Sequence, residues 1–310
     1  MERYEKCHFK ESWFTGKFSR IYHARDTLLD ESVLVKRVSY WWEEDNAPRI
    51  VRETQREVSI LKELSNHENI VQLKNCIDDA DDQQMYLIFE SLTVCLKSKL
   101  DSEAYIMHNY PTYKRKALSS ERVKRIMHQI CSGLVFCHEK HILHLDLKPH
   151  NILFSSKHVD APLKICGFDY SRSVHNDCDR DDDEVVTLWY RSPELLLGST
   201  TFAASIDAWS LGCLFAEIIM LRPVFTGRNQ IDQLFHIFRQ CGTPNDSLWP
   251  GVTSLAYWNA AFPKWYPSEF HRDIRENVDP LGLELLELLL VCNPKERISS
   301  RDALDHPYFD

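Results

Sequence analysis

His144-Leu145-Asp146-Leu147-Lys148-Pro149-His150-Asn151 and, a short β-rich run later, Leu163-Lys164-Ile165-Cys166-Gly167-Phe168-Asp169 decide how this chain reads. Together they place two carboxylates, Asp146 and Asp169, with the ammonium of Lys148 and the amide of Asn151. Many of the positions between are apolar, so this polar chemistry is set on a hydrophobic frame. Gly167 interrupts the second stretch, where a residue without Cβ lets the backbone bend in ways that others resist.

Composition bounds the rest. The 310 residues suffice for one large domain or for two lobes with separate cores. Charged residues at 27% and hydrophobic ones at 44% describe an ordinary globular chain. A formal net charge of −9 argues against general nucleic-acid binding, which needs clustered basic surface. Met1-Glu2-Arg3-Tyr4-Glu5-Lys6 has no apolar segment of the secretory type, so an intracellular protein, nuclear or cytoplasmic, is expected. The longest apolar runs, such as 285–291, are broken by charge and too short for a bilayer, so no membrane contact is expected. In a reducing compartment the 10 cysteines are expected as free thiols. Cys131, Cys137 and His138 share a helical pattern that could hold a metal, but buried free cysteine is the commoner use of such positions.

The periodicity changes once, near residue 93. Before it, 18–25, 32–38, 71–77 and 85–90 read as strands, rich in Val, Ile, Phe and Tyr. One helix, over 48–65, interrupts them, with Ile50, Glu57, Leu61 and Leu64 at helical spacing. After residue 93 helices dominate. Ser119 and Ser120 can cap one carrying Val123, Ile126, Ile130, Leu134 and Cys137. The segment 206–221 is apolar on nearly every side, as a helix buried in the centre of a lobe would be, and 281–291 is another helix. The polar run 101–117, broken by Pro111, reads as an irregular insertion. The economical arrangement is an α+β, bilobal chain: one domain over 1–310, with a β-rich lobe over about 4–92 and a helical lobe over about 93–308.

Further segments carry a family resemblance. They are Glu184-Val185-Val186-Thr187-Leu188-Trp189-Tyr190-Arg191-Ser192-Pro193-Glu194, Asp207-Ala208-Trp209-Ser210-Leu211-Gly212-Cys213, Ile231-Asp232-Gln233-Leu234-Phe235, Cys241-Gly242-Thr243-Pro244, Trp249-Pro250-Gly251-Val252 and Asn293-Pro294-Lys295-Glu296-Arg297-Ile298. With the two opening stretches, the chain resembles a cyclin-dependent kinase over essentially its whole length. The resemblance implies the bilobal protein-kinase fold, ATP and Mg2+ as cofactors, and transfer of phosphate to Ser or Thr. It implies that Asp146 orients the substrate hydroxyl, Lys148 steadies the phosphoryl group, and Thr187 ties the loop to the activation segment. ATP contacts are implied at Gly16, Lys36, Glu57, Phe89, Glu90, Leu92, Asn151 and Leu153, with Lys36 and Glu57 as an ion pair. Asn151 would hold one magnesium.

The departures are as telling. The family has Asp-Phe-Gly where this chain has Gly167-Phe168-Asp169, so the metal-bridging carboxylate is missing. Asp169 replaces it only if the loop slips or bulges, because two extended residues span about 6–7 Å. Phe14, Gly16 and Ser19 occupy the three glycine positions of the nucleotide-covering loop, and only Gly16 is kept. Leu145 stands where an arginine grips a phosphorylated activation loop. In Asp177-Cys178-Asp179-Arg180-Asp181-Asp182-Asp183-Glu184, Asp182 takes the place of the phosphorylated Thr. It either imitates that charge toward Arg56 and Arg172 or belongs to a solvated acidic loop. The cyclin-facing helix reads Val51-Arg52-Glu53-Thr54-Gln55-Arg56-Glu57, with Gln55 for the apolar docking residue. The resemblance therefore implies a cyclin or cyclin-like partner of altered preference, and a substrate with Pro after the target residue, read by Val186 and Arg191. A small regulatory subunit is implied near Ile231 and Asp232, with Arg228 at a position usually acidic. Two outcomes stay open: an impaired kinase, or an inactive kinase-like scaffold.

Overall fold

The computed structural model describes residues 1, 3–7, 14–15, 19–40, 47–109, 118–158, 161–174, 187–268 and 272–310. Gly16, Asp182 with its acidic neighbours, and Val186 lie outside the described residues.

The N-terminal half is built on one antiparallel sheet. Its strands are β1 (Tyr4–Lys6), β2 (Phe14–Thr15), β3 (Ser19–Asp26), β4 (Glu31–Ser39), β5 (Leu73–Asp79) and β6 (Gln84–Glu90), in the order β1-β3-β4-β6-β5 with β2 on β3. The two-residue alternation of strands splits β4 between two cores. Leu34 and Val38 join the main core, whereas Val33 and Val35 pack with Tyr22, Ala24, Tyr86 and Ile88 in a second cluster. Lys36 shares the parity of Leu34 and Val38, which directs it toward helix α1 (Ala47–Glu63). That helix buries Ile50, Thr54, Glu57, Val58, Ile60 and Leu61, the apolar stripe expected of helical spacing. Glu57 lies on the stripe, a charge placed in the core by its register.

The C-terminal half is helical. It contains β7 (Val94–Cys95), α2 (Leu96–Asn109), α3 (Ser120–Glu139), β8 (Ile142–Leu143), β9 (Ile152–Phe154), β10 (Leu163–Ile165) and β11 (Arg172–Ser173). Then come α4 (Pro193–Leu196), α5 (Ala204–Met220), α6 (Gln230–Cys241), α7 (Arg272–Asn277), α8 (Pro280–Leu289) and α9 (Ser300–Leu304). Ser119 caps α3, its Oγ accepting from the Arg122 N–H. Helix α5 is buried on every side from Ile206 to Ile219 and packs against α3, α7 and α8. The two halves are sewn together by backbone bonds from Val71 N to Ile165 O (3.0 Å) and from Ile165 N to Asn69 O (2.8 Å).

The insertion expected over 101–117 is corrected over 101–109, which continues α2. Leu96 and Leu100 are fully buried at a spacing of four and Ala104 packs behind them. A polar outer face hid this narrow apolar stripe. The nine cysteines among the described residues are free thiols; Cys131 and Cys137 are buried, and burial pushes Cys131 up to about 12. His138 turns instead to Asp207 and Ser300, at 2.9 and 2.7 Å.

One buried ion pair ties the segment before α9 to helix α4. Arg297 donates from Nη1 to Glu194 Oε1 (2.8 Å), from Nη2 to Oε2 (2.9 Å) and from Nε to Val291 O (2.9 Å). Removing one partner strands the other charge in the core. Arg297→Met is expected to lower the unfolding free energy by about 3–5 kcal/mol, measured by urea denaturation.

Candidate functional site

The site grows from the loop between β8 and β9. A single helical turn, Pro149–Asn151, folds Asn151 back onto Asp146. Asn151 Nδ2 donates to Asp146 O (2.7 Å) and Oδ2 (3.0 Å), and Lys148 Nζ lies 2.7 Å from the same Oδ2. The other oxygen, Oδ1, accepts from Thr187 Oγ1 (2.8 Å) and N (3.3 Å). Lys148 Nζ closes the ring by donating to Thr187 Oγ1 at 2.8 Å. Asp146, Lys148, Asn151 and Thr187 are thus brought together in one hydrogen-bonded group.

A residue given no role from the sequence holds this loop in place. Leu145 is fully buried at φ 63, a left-handed conformation that costs a branched residue about 1–3 kcal/mol. Asp207, in the first turn of α5, compensates. Its Oδ1 accepts from Leu145 N (2.8 Å) and its Oδ2 from His144 N (2.8 Å). Burial opposes the Asp207 charge, but His138 and His144, the latter also through its backbone N–H, overcome it and hold the carboxyl below its ordinary range. His144 is fixed in turn: its Nε2 meets Cys166 O at 2.9 Å and its ring meets Phe168 edge-on at 4.9 Å.

Lys36 lies across from this group. Its ammonium meets Glu57 Oε1 at 2.9 Å and Oε2 at 2.7 Å, and also bonds the Asp169 carboxylate. Asp169 arrives there because 167–170 is not extended. Gly167 takes φ 77, ψ 53, and Phe168–Tyr170 turns tightly after it. The slip that the sequence required is built by glycine's freedom at one position. Burial favours a neutral Lys36, yet Asp169 and Glu57 hold its pKa above the ordinary lysine value. Two carboxylates share that one ammonium. Burial, then Asp169, push Glu57 up to about 7 against the pull of Lys36, while Lys36 holds the more exposed Asp169 below its usual range.

The remaining nucleotide-contact candidates are spread around this centre. Phe89 and Leu92 are buried and Leu153 is half-buried on β9. The Glu90 carboxylate points elsewhere, accepting from Gln72 N (2.8 Å) and pairing with Lys164 (3.0 Å). Of the two arginines expected to face Asp182, Arg172 lies on β11 with its guanidinium 5.3 Å from the Phe202 ring, and Arg56 lies on α1 beside Glu57.

Residues 9–309 match the family model of the protein kinase domain. The chain belongs to the protein kinase family. Its β-sheet half and helical half form the mixed α+β, bilobal kinase fold. No helix among the described residues is long and apolar enough to cross a membrane.

Protein kinase domains use ATP and Mg2+, the metal neutralising phosphate charge during transfer. Asn151 is the residue here that would meet that ion, and Gly167 adds no carboxylate beside it. A Cβ on Gly167 would lie 2.6 Å from Asn151 Oδ1, so that oxygen faces a position with no carboxylate. Asp169 is engaged by Lys36, and among the described residues no three His, Cys, Asp or Glu side chains cluster to hold a metal.

Asp207→Asn is the direct test of the loop anchor. An amide presents one acceptor oxygen where the carboxylate presents two, so a backbone N–H of His144 or Leu145 loses its charged partner. Stability is expected to fall by about 1.5–3 kcal/mol in denaturant titration, the scale of one hydrogen bond to a charged group.

Proposed function

We propose that this chain is a serine/threonine protein kinase of cyclin-dependent type whose phosphoryl transfer is impaired, and that 1–310 is one kinase domain with lobes over about 4–92 and 93–308. One observation carries the reading. The hydroxyl-orienting group of Asp146, Lys148, Asn151 and Thr187 is assembled, while Lys36 is taken up by two carboxylates and Gly167 offers none. Asp146 Oδ1 and Oδ2 are oriented by Thr187 and Asn151, so the carboxylate is poised to accept a hydrogen bond from a substrate hydroxyl. Lys148, bound to Asp146 and Thr187, places a positive charge beside that hydroxyl. The electrostatic element missing at Gly167 is worth about 10²–10³ in rate where comparable ones have been removed.

The regulatory reading rests on resemblance and on exposure. Gln55 is exposed on α1, giving a cyclin-like partner a polar contact there. Ile231 is 56% exposed beside Asp232, which pairs with Arg228 at 3.1 Å, and this is the surface assigned to a small regulatory subunit. Arg191 serves the pocket for the proline after the target residue. Cell-cycle or related regulation in the nucleus or cytoplasm fits such partners. The second reading, a scaffold that binds a cyclin-like or substrate protein without turnover, is favoured by the same engagement of Lys36.

The double variant Gly167→Asp, Asp169→Gly separates the two. The new Cβ would lie 2.5–2.7 Å from the Asn151 side chain, so Asn151 must shift as the carboxylate enters. Transfer to a Ser/Thr-Pro peptide is expected to rise by about 10²–10³-fold over the parent. A folded variant with no gain would favour the scaffold.

A further inference from the structure

An ammonium carries three N–H donors. On Lys36 they face three carboxylate oxygens, Glu57 Oε1 and Oε2 and Asp169 Oδ1. The lysine is 5% and the glutamate 4% exposed, whereas the Asp169 side chain is 47% exposed. Asp169 therefore covers Lys36 from its open side, and Glu57 backs it from the core. An anion that approaches Lys36 from solvent meets the Asp169 carboxylate first. The carboxylate of Asp169 is thus the charge that an approaching phosphate meets, and it opposes one.

We propose that Asp169 is an internal stand-in for a nucleotide phosphate: it holds the donor of Lys36 that a phosphate would take and makes the cleft select an adenosine-type ligand over ATP. This rests on the kinase reading of the cleft and names the ligand class that the cleft accepts. The placement of Asp169 two residues beyond Gly167 is what permits it. The left-handed turn at Gly167 and the tight turn after it present the carboxylate to Lys36. A larger residue at 167 would run into Asn151.

The test is calorimetric titration of the full chain with adenosine, AMP and ATP, first in chelator and then with magnesium, in parent, Asp169→Asn and Asp169→Ser. The parent is expected to bind adenosine at least as tightly as ATP. Both variants are expected to gain about tenfold or more for ATP, the scale of one charge-assisted hydrogen bond, with adenosine unchanged. The half-exposed position of Asp169 makes either replacement compatible with folding, and the adenosine titration verifies the cleft in each. ATP binding in the parent well above adenosine, or variants without a gain, would overturn the stand-in while leaving the cleft intact. Tight ATP with magnesium in the parent that is lost in both variants would make Asp169 a displaced metal ligand, also against the proposal. Adenosine silent in every protein would remove the nucleotide-cleft reading and the selectivity together.

Discussion

The ammonium of Lys36 between Glu57 and Asp169 is the constraint on which the rest of the molecule turns. It joins three elements from distant parts of the chain: strand β4, helix α1, and the turn after Gly167. A buried charge of either sign costs several kcal/mol unless paired, so Lys36 and Glu57 hold each other in register and Asp169 adds a partner from the solvent side. Glu57 sets the rotation of α1 and Asp169 sets the path of 167–170. The Phe168 ring then packs against His144, which links the same turn to the loop that carries Asp146. The position of α1 is thus fixed from within the chain.

The C-terminal half answers a different requirement. Leu145 must sit in a left-handed conformation to aim Asp146, and a buried carboxylate on the central helix makes that affordable. Asp146 then receives its hydrogen bonds from Thr187 and Asn151, so orientation descends from core helix to loop to side chain. That hierarchy is intact. What has changed is the charge pattern opposite, where a residue pair Gly167 and Asp169 replaces the order found in the family. The hydrogen-bonded group of Asp146, Lys148, Asn151 and Thr187 thus stands opposite an ammonium that Glu57 and Asp169 share.

How much of this was readable in the sequence follows from the range of each interaction. Asp146, Lys148 and Asn151 lie within one short loop, so spacing alone placed them together. Lys36 and Glu57 were legible from strand parity and helix register. Asp207 was not, because nothing local shows a residue 62 positions away accepting the Leu145 N–H. Spacing left the reach of Asp169 open between an extended 167–169 and a curled one, and glycine at φ 77 curls it. The helix over 101–109 was missed because a stripe of Leu96, Leu100 and Ala104 is narrow and its other face is polar.

The bond between Lys36 and Asp169 crosses between the two halves. A double-mutant cycle measures it directly, with Lys36→Met, Asp169→Asn and the pair compared by urea unfolding. A coupling energy above about 1 kcal/mol is expected, because without Lys36 the Asp169 carboxylate loses the ammonium it pairs with, whereas without Asp169 that ammonium keeps Glu57 alone. Additivity within about 0.3–0.5 kcal/mol would show two residues that do not sense each other and would contradict the account.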